Sequence, residues 1–473
     1  MEFIGTYIIN PLNTVLWSYL LIFTLIPLAI YFTFRTRFVQ FRYFFHMFKV
    51  ITEGTKKKSK NGQKCISPFQ AFCIGCASRV GTGNIAGIAI ALTIGGPGAI
   101  FWMWLLAIFG SASAFVESTL AQIYKVKDGN GYRGGPAYYM KQALKKRWMG
   151  VLFSILLIIC FGFVFNSVQA NTIANSFDKA FGIETWMTGA VITAITAIVI
   201  FGGIRRIAHV TEFLVPIMAV VYLCVVAYVF ITNINMVPYV FSLIFKGAFG
   251  LTQFTGGLAG VTVQVILQTG IARGLFSNEA GMGSAPNAAA TAETSHPVKQ
   301  GLIQAMGVFF DTLVICSATA FIVILAGKYS SGGYEGVQLT QESLSYFVGS
   351  WGNPFIAISI LMFAYSSILG NYYYGETNIE FMSEKKRWLL LYRLAVIVMV
   401  FFGCIQKVSV VWNMADVTMG LMATVNLIAI FLLGKFAFRA LNNYTKQLKE
   451  GKNPIFHRNS IEGVSEIECW EKE

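Results

Sequence analysis

"RVGTGNIAGIAIAL", residues 79–92, contains the string Gly81-Thr82-Gly83-Asn84-Ile85-Ala86. It fits the dinucleotide fingerprint G-x-G-x-x-G/A letter for letter. That fingerprint binds a nucleotide only between a strand and a helix of a βαβ unit, where the glycines let the backbone meet a pyrophosphate. Here "PFQAFCIGCASR" precedes it and "GIAIALTIGGPGAIFWMWLLAIF" follows, both apolar patterns of a membrane helix. The glycines therefore interrupt a helix. Gly81, Gly83 and Gly87 lower helix propensity near the middle of the span. The N–H and C=O groups of an unwound turn are tolerated in a membrane only where they line a cavity or bind a ligand.

The whole chain supports the membrane reading. Of 473 residues, 55% are apolar and 12% charged, about half the charged fraction of a soluble domain. Mean hydropathy is +0.61. Eleven spans of about 20 residues or more, as a ~30 Å hydrocarbon core requires, are expected at 14–34, 67–95, 98–124, 149–175, 186–203, 210–232, 254–290, 299–327, 353–381, 388–405 and 414–441. The alternating strands of a transmembrane barrel are not seen. The net charge of +14 would suggest nucleic acid in a soluble protein, but here the loops account for it. Twenty-nine Lys and Arg fall on one side of the expected spans and four on the other. By the positive-inside rule the N-terminus lies outside and the C-terminus in the cytoplasm, in a multi-pass plasma membrane protein of a prokaryote. The eight Cys share no spacing, and Cys73 and Cys76 form a lone C-x-x-C within an apolar span, so they read as small core residues. Glu2 and the lack of early Lys or Arg do not resemble a signal peptide.

A weak internal repeat organises the spans. "FRYFFHMFKV" (41–50) precedes the second and "VPYVFSLIFK" (237–246) the seventh. About 35 residues after each terminal Lys comes a Gly-rich interruption, "GTGNIAG" and then "NEAGMGSAPN". "GYRGG" (131–135) and "GGYEG" (332–336) follow further on, each before an amphipathic stretch. Two units of five spans result, residues 65–232 and 233–441. The N-terminal span and basic segment (1–64) and a cytoplasmic tail (442–473) stand outside them. Five is odd, so the units enter from opposite sides, as an inverted repeat. Two interrupted helices at matching positions point to a binding site at the midplane, and they carry Asn84, Ser277, Asn278 and Glu279. Tight glycine-mediated helix packing is the alternative for a single such helix.

"RVGTGNIAGIAIALTIGGPGAIFWMW" (79–104) and "GLFSNEAGMGSAPNAAATAETSHPVKQG" (274–301) resemble the signatures of the alanine or glycine:cation symporters. The resemblance extends over nearly the whole chain, including "NPIFHRNSIEGVSEIECW" in the tail. It implies an all-α leucine-transporter-type fold and sodium-coupled uptake of small neutral amino acids, with no enzymatic activity and no obligatory protein partner. It also implies a site. The amides around Thr82, Gly83 and Asn84 receive the substrate carboxylate, Ser277 and Asn278 complete the site, and Phe276 and Met282 wall it. Gln169, on one helical face with Asn166 and Ala170, meets the substrate ammonium or else bonds a neighbouring helix. Sodium, the coupling ion, falls at the carbonyls of Ala77 and Val80 with the hydroxyls of Ser366 and Ser367. Those serines otherwise bond back to their own helix. A proton carried by Glu279 is the alternative coupling ion. The family pattern has a Trp where "ILGNYYYGE" (368–376) has Asn371, which implies a roomier pocket suited to glutamine as well as alanine or glycine.

Intramembrane charges default to functional candidates. Arg79 lies near mid-depth, and Glu117, Glu279, Asp311, Glu376 and Asp416 are its prospective partners in an ion pair or gate. An intramembrane enzyme would need a constellation that His46, His209, His296 and His457, all at loop or interfacial positions, do not form. A channel would favour repeated charged rings over two unlike broken helices.

Overall fold

The computed structural model describes residues 7, 9–53, 66–129, 131–250, 261–330, 333–464 and 467–471. The basic run Lys56 to Lys64 and the expected start of the seventh span at 254–260 lie outside the described residues. Apolar helices dominate the chain. They are α1 (Asn10–Arg35), the pair α2 (Pro68–Arg79) and α3 (Gly83–Gly95), α4 (Gly98–Ile123), α5 (Arg147–Phe181), α6 (Thr185–Ile200) and α7 (Arg206–Thr232). Then come the pair α8 (Val263–Asn278) and α9 (Ala285–Thr291). The last four are α10 (Pro297–Ala326), α11 (Gly352–Met382), α12 (Lys386–Cys404) and α13 (Val408–Lys449).

Eight of these are each long and apolar enough to cross a membrane, and α2 with α3, bent by 47°, makes a ninth among the described residues. The other two expected spans correspond to α6, only 16 residues long, and to α8 with α9. The latter pair holds Gln264, Gln268, Arg273, Ser277 and Asn278, a polar load at odds with lipid contact. Its second half is buried throughout.

Local chemistry sets the helix ends. Ser67 and Gln70 form a reciprocal capping box at the start of α2, each side chain accepting the other's amide N–H at 3.1 Å, with Pro68 in the first turn. Gly182 and Gly327 end α5 and α10 in the left-handed conformation. Amphipathic helices Phe44–Glu53 and Val237–Ala248 precede the two broken pairs, and Pro136–Gln142 and Val337–Val348 follow further on, in the same order each time.

Large apolar side chains such as Phe23 and Phe213 are exposed on outer helix faces. Inside, helices approach closely where a side chain is missing. A Cβ at Gly270 of α8 would sit 2.3 Å from the Ala99 carbonyl of α4, and one at Gly403 of α12 would sit 2.3 Å from that of Ser167 of α5. Asn171 and Ser167 of α5 then donate to the Gly403 and Met399 carbonyls of α12 at 2.9 and 2.8 Å. At the end carrying the basic loops, the chain beyond α13 folds back. Phe456, Ile461, Ile467 and Trp470 are buried, and Ser295 exchanges hydrogen bonds with Pro454 and Phe456.

Candidate functional site at the two helix breaks

Both breaks lie in the interior, side by side. In the first, Val80 leaves helical geometry at φ −79°, ψ 85°. The amides that follow are held by side chains. Gly81 N–H donates to Asn84 Oδ1 at 2.8 Å and Thr82 N–H to Gln169 Oε1 at 2.9 Å. Asn84 N–H donates to the Gly81 carbonyl at 3.2 Å. Gln169 thus reaches the break from α5, with its oxygen on the Thr82 amide. A Cβ on Gly81 would lie 2.2 Å from Ser367 Oγ and 2.9 Å from Gln169 Oε1, so only glycine lets these three elements meet.

In the second break Glu279 adopts φ +57°, and Gly281 and Gly283 adopt +83° and +88°. Glu117 of α4 clamps the turn, its two oxygens accepting Gly281 N–H at 3.2 Å and Gly283 N–H at 3.1 Å. Asn426 of α13 donates to Glu117 Oε2 and to the Gly281 carbonyl, both at 2.9 Å, and accepts the Tyr139 hydroxyl. Asn278 folds back to accept the Ala280 amide. A buried carboxylate bearing three donors is well satisfied, and this one fixes where the helix opens.

Asp311 joins the breaks. Its Oδ1 accepts Asn84 Nδ2 at 2.7 Å, and its Oδ2 accepts Ser277 Oγ at 2.8 Å and Thr312 Oγ1 at 2.9 Å. Thr312 Oγ1 also accepts Asn278 Nδ2 at 3.2 Å. Asn84, Ser277, Asn278 and Asp311 are all fully buried. Glu279 makes a second link, with Ser78 Oγ on one oxygen and Ser284 Oγ on the other, each at 2.5 Å.

The remaining expected residues surround this core. Ser367 Oγ lies 2.7 Å from the Ala77 carbonyl, so α11 meets α2 there, and 3.1 Å from the Phe363 carbonyl of its own helix. Ser366 Oγ turns to the Phe363 carbonyl of its own helix at 2.8 Å. The side-chain amide of Asn371 meets Ser78 Oγ at 2.7 Å, and the hydroxyl of Tyr374 is buried with no partner. Phe276 packs beside Gly83, and its ring lies 4.4 Å from Phe165 and 4.6 Å from Trp412. Met282 is fully buried in the second break. Beyond Trp412, a cavity of about 300 Å³ between Ala86, Asn171, Thr172, Gly336 and Val408 opens toward the end away from the basic loops. Arg273, paired with Asp416, stacks on Trp412 at 4.7 Å.

Several of these partners were not predicted. Among the prospective partners of Arg79, Asp416 pairs with Arg273 and Glu376 with Arg393 instead. Glu117 and Asp311 hold the breaks. Their signal in the sequence was only that of carboxyls inside apolar runs.

The sodium:alanine symporter family matches residues 1–458. The probable sodium/glutamine symporter GlnT of Bacillus subtilis is 55% identical, over 99% of this chain and 97% of its own length. The amino-acid carrier protein AlsT of the same organism is 49% identical over 100% and 99%, and its putative sodium/proton-dependent alanine carrier YrbD is 42% identical over 98% and 97%. A crystal structure of a mutant Eremococcus coleocola manganese transporter covers 85% of each chain at a TM-score of 0.50, with 13% identity, a likeness of fold alone. Full-length matches at these identities, on a chain with two helix breaks joined by one carboxylate, establish that it belongs to the sodium:alanine symporter family.

Proposed function

We propose that the chain carries a small neutral amino acid across the bacterial plasma membrane together with sodium, by alternating access, and catalyses no chemical change. The observation that carries this reading is Asp311, which binds Asn84 of one broken helix and Ser277 of the other. A helix break supplies N–H groups for a carboxylate and carbonyls for a cation. The amides at Thr82, Gly83 and Asn84 take the substrate carboxylate, with Gln169 releasing the Thr82 amide as substrate enters. Ser277, Asn278, Phe276 and Met282 line the remaining sides. Residues 65–232 and 233–441 form the two five-span halves of a leucine-transporter-type inverted repeat, after an N-terminal span in residues 1–64. The basic end faces the cytoplasm, which places the N-terminus outside and the tail 442–473 inside. The bilayer and the amino acid are the partners this function requires.

Sodium binds where Ser367 meets the Ala77 carbonyl, with Val80 and Ser366 adjoining. Ser367→Ala is expected to raise the sodium concentration for half-maximal uptake by roughly tenfold, the equivalent of about 1.4 kcal/mol. Ser366→Ala, whose hydroxyl meets the Phe363 carbonyl and faces Met218 instead of α2, changes it less than about twofold. Equal shifts in the two variants, measured in proteoliposomes, would remove this assignment. A proton on Glu279, a buried carboxyl that links the two breaks, is the competing reading. Uptake driven by a pH gradient without sodium would establish it.

Glutamine is the preferred substrate among alanine, glycine and other small neutral amino acids. Asn371 is smaller than the Trp of the family pattern and carries an amide able to pair with the carboxamide of glutamine. Asn371→Trp should weaken glutamine uptake at least tenfold while sparing alanine. Equal losses for both would take Asn371 out of substrate selection. The function itself is tested by uptake into proteoliposomes under an inward sodium gradient. Concentrative, saturable uptake of a labelled amino acid supports symport, whereas equilibration without accumulation contradicts it.

A further inference from the structure

Arg79 ends α2 at the lip of the first break and is 1% exposed. Its one hydrogen bond runs from Nη1 to the Gln304 carbonyl at 3.2 Å, and Nε and Nη2 have no partner. It makes no ion pair among the described residues, although its charge acts on Glu117, Glu279 and Asp311. A buried guanidinium so poorly satisfied is costly in this arrangement.

Its surroundings are equally unsatisfied. The side-chain amides of Gln300 and Gln304, and the hydroxyls of Ser118 and Thr119, are buried without partners. Gln304 against Gly75 of α2, and Thr119 of α4 against Gly301 of α10, mark a polar seam between these helices. Gln304 faces Gly75 of α2, where a Cβ would lie 2.9 Å from its Oε1. Gln300, Gln304, Gly307 and Asp311 fall at successive turns along one stripe of α10. Gly307 is therefore the residue between the present position of Arg79 and Asp311. A Cβ there would stand 2.4 Å from Arg79 Nη1. The four steps from Gly307 to Asp311 rise about 6 Å along a helix, a distance an arginine side chain covers by changing rotamer.

We propose that Arg79 is a tethered counter-charge for the empty carrier. While a cation is bound at the breaks, the guanidinium rests in the seam. When the cation leaves, the guanidinium passes Gly307 and pairs with Asp311, displacing donors among Asn84, Ser277 and Thr312 that hold it here, so that the positive charge lost with the cation is replaced inside the protein as it returns empty. Arg79 is a positioning residue here, acting through Asp311 and touching neither substrate nor cation.

This rests on cation-coupled symport at the breaks, but the two fail differently. If symport is wrong, the wild type shows no sodium-driven uptake. If only the counter-charge is wrong, the wild type transports normally and the variants below do not separate two fluxes. In proteoliposomes, net uptake requires return of the empty carrier. Exchange, with labelled amino acid outside and sodium and unlabelled amino acid at saturation on both sides, requires only the loaded form. Arg79→Gln should lower net uptake by tenfold or more and leave exchange within about twofold. Arg79→Lys should restore part of the net uptake. Gly307→Ala, which keeps the charge and narrows its path, should give the same split as Arg79→Gln. Parallel loss of both fluxes in Arg79→Gln and Gly307→Ala, or wild-type net uptake in either, overturns the proposal. Sodium-dependent amino-acid binding by the purified variants shows that they are folded.

Discussion

Asn84→Ala should weaken amino-acid binding by roughly 100-fold or more. The side chain holds Gly81 N–H with its oxygen and Asp311 with its nitrogen, at 2.8 and 2.7 Å. Alanine leaves a buried amide and one oxygen of a buried carboxylate short of a partner. Each unsatisfied buried group costs about 1–3 kcal/mol, more when charged. Together they come to about 2–6 kcal/mol, and tenfold in affinity is about 1.4 kcal/mol. The loss should appear in the dissociation constant of purified protein, measured by calorimetry. Because the first break loses its internal latch, thermal stability falls as well, and the two effects separate by substrate. An unfolded variant binds nothing at any concentration, whereas the folded variant saturates at higher amino acid. Wild-type affinity in a folded Asn84→Ala protein would remove Asn84 from the site.

Gly81→Ala should nearly abolish sodium-driven uptake. The new methyl group would stand 2.2 Å from Ser367 Oγ and 2.9 Å from Gln169 Oε1, well inside contact distance. Both atoms end side chains that can turn away, so the protein can still fold, but Ser367 then leaves the Ala77 carbonyl. A paired variant separates crowding from lost chemistry. Gly81→Ala with Ser367→Gly makes room for the methyl group without restoring the hydroxyl. It should recover expression and thermal stability towards wild type while its sodium requirement stays raised. Recovery of sodium dependence together with stability would mean that Ser367 serves packing alone.

Much of this organisation was legible in the sequence. Runs of apolar residues set the helices, and glycines among polar residues marked both breaks, because each signal is local. The partners of those breaks are not local. Glu117 meets Gly281 and Gly283 across 164 and 166 residues, and Asp311 meets Asn84 across 227. No pattern in one sequence distinguishes a carboxylate that clamps a turn from one that pairs with Arg79. Ser366 and Ser367 show the same limit at short range. Adjacent positions on a helix point about 100° apart, and only packing against α2 decides which hydroxyl meets the Ala77 carbonyl. The tail was visible only as part of the resemblance, through "NPIFHRNSIEGVSEIECW", and its docking on Ser295 and Gln122 depends on buried Phe456 and Trp470, which composition alone leaves unassigned.

The most direct test of one shared site at the two breaks is amino-acid binding to the purified protein as a function of sodium. The dissociation constant for glutamine should fall steeply as sodium rises in the wild type, because cation and substrate stabilise the same arrangement of Asn84, Ser277 and Asp311. In Asp311→Ala the affinity should be at least tenfold weaker and its dependence on sodium largely lost. Glutamine affinity independent of sodium in the wild type, or an Asp311→Ala protein with wild-type affinity and sodium dependence, would contradict the account.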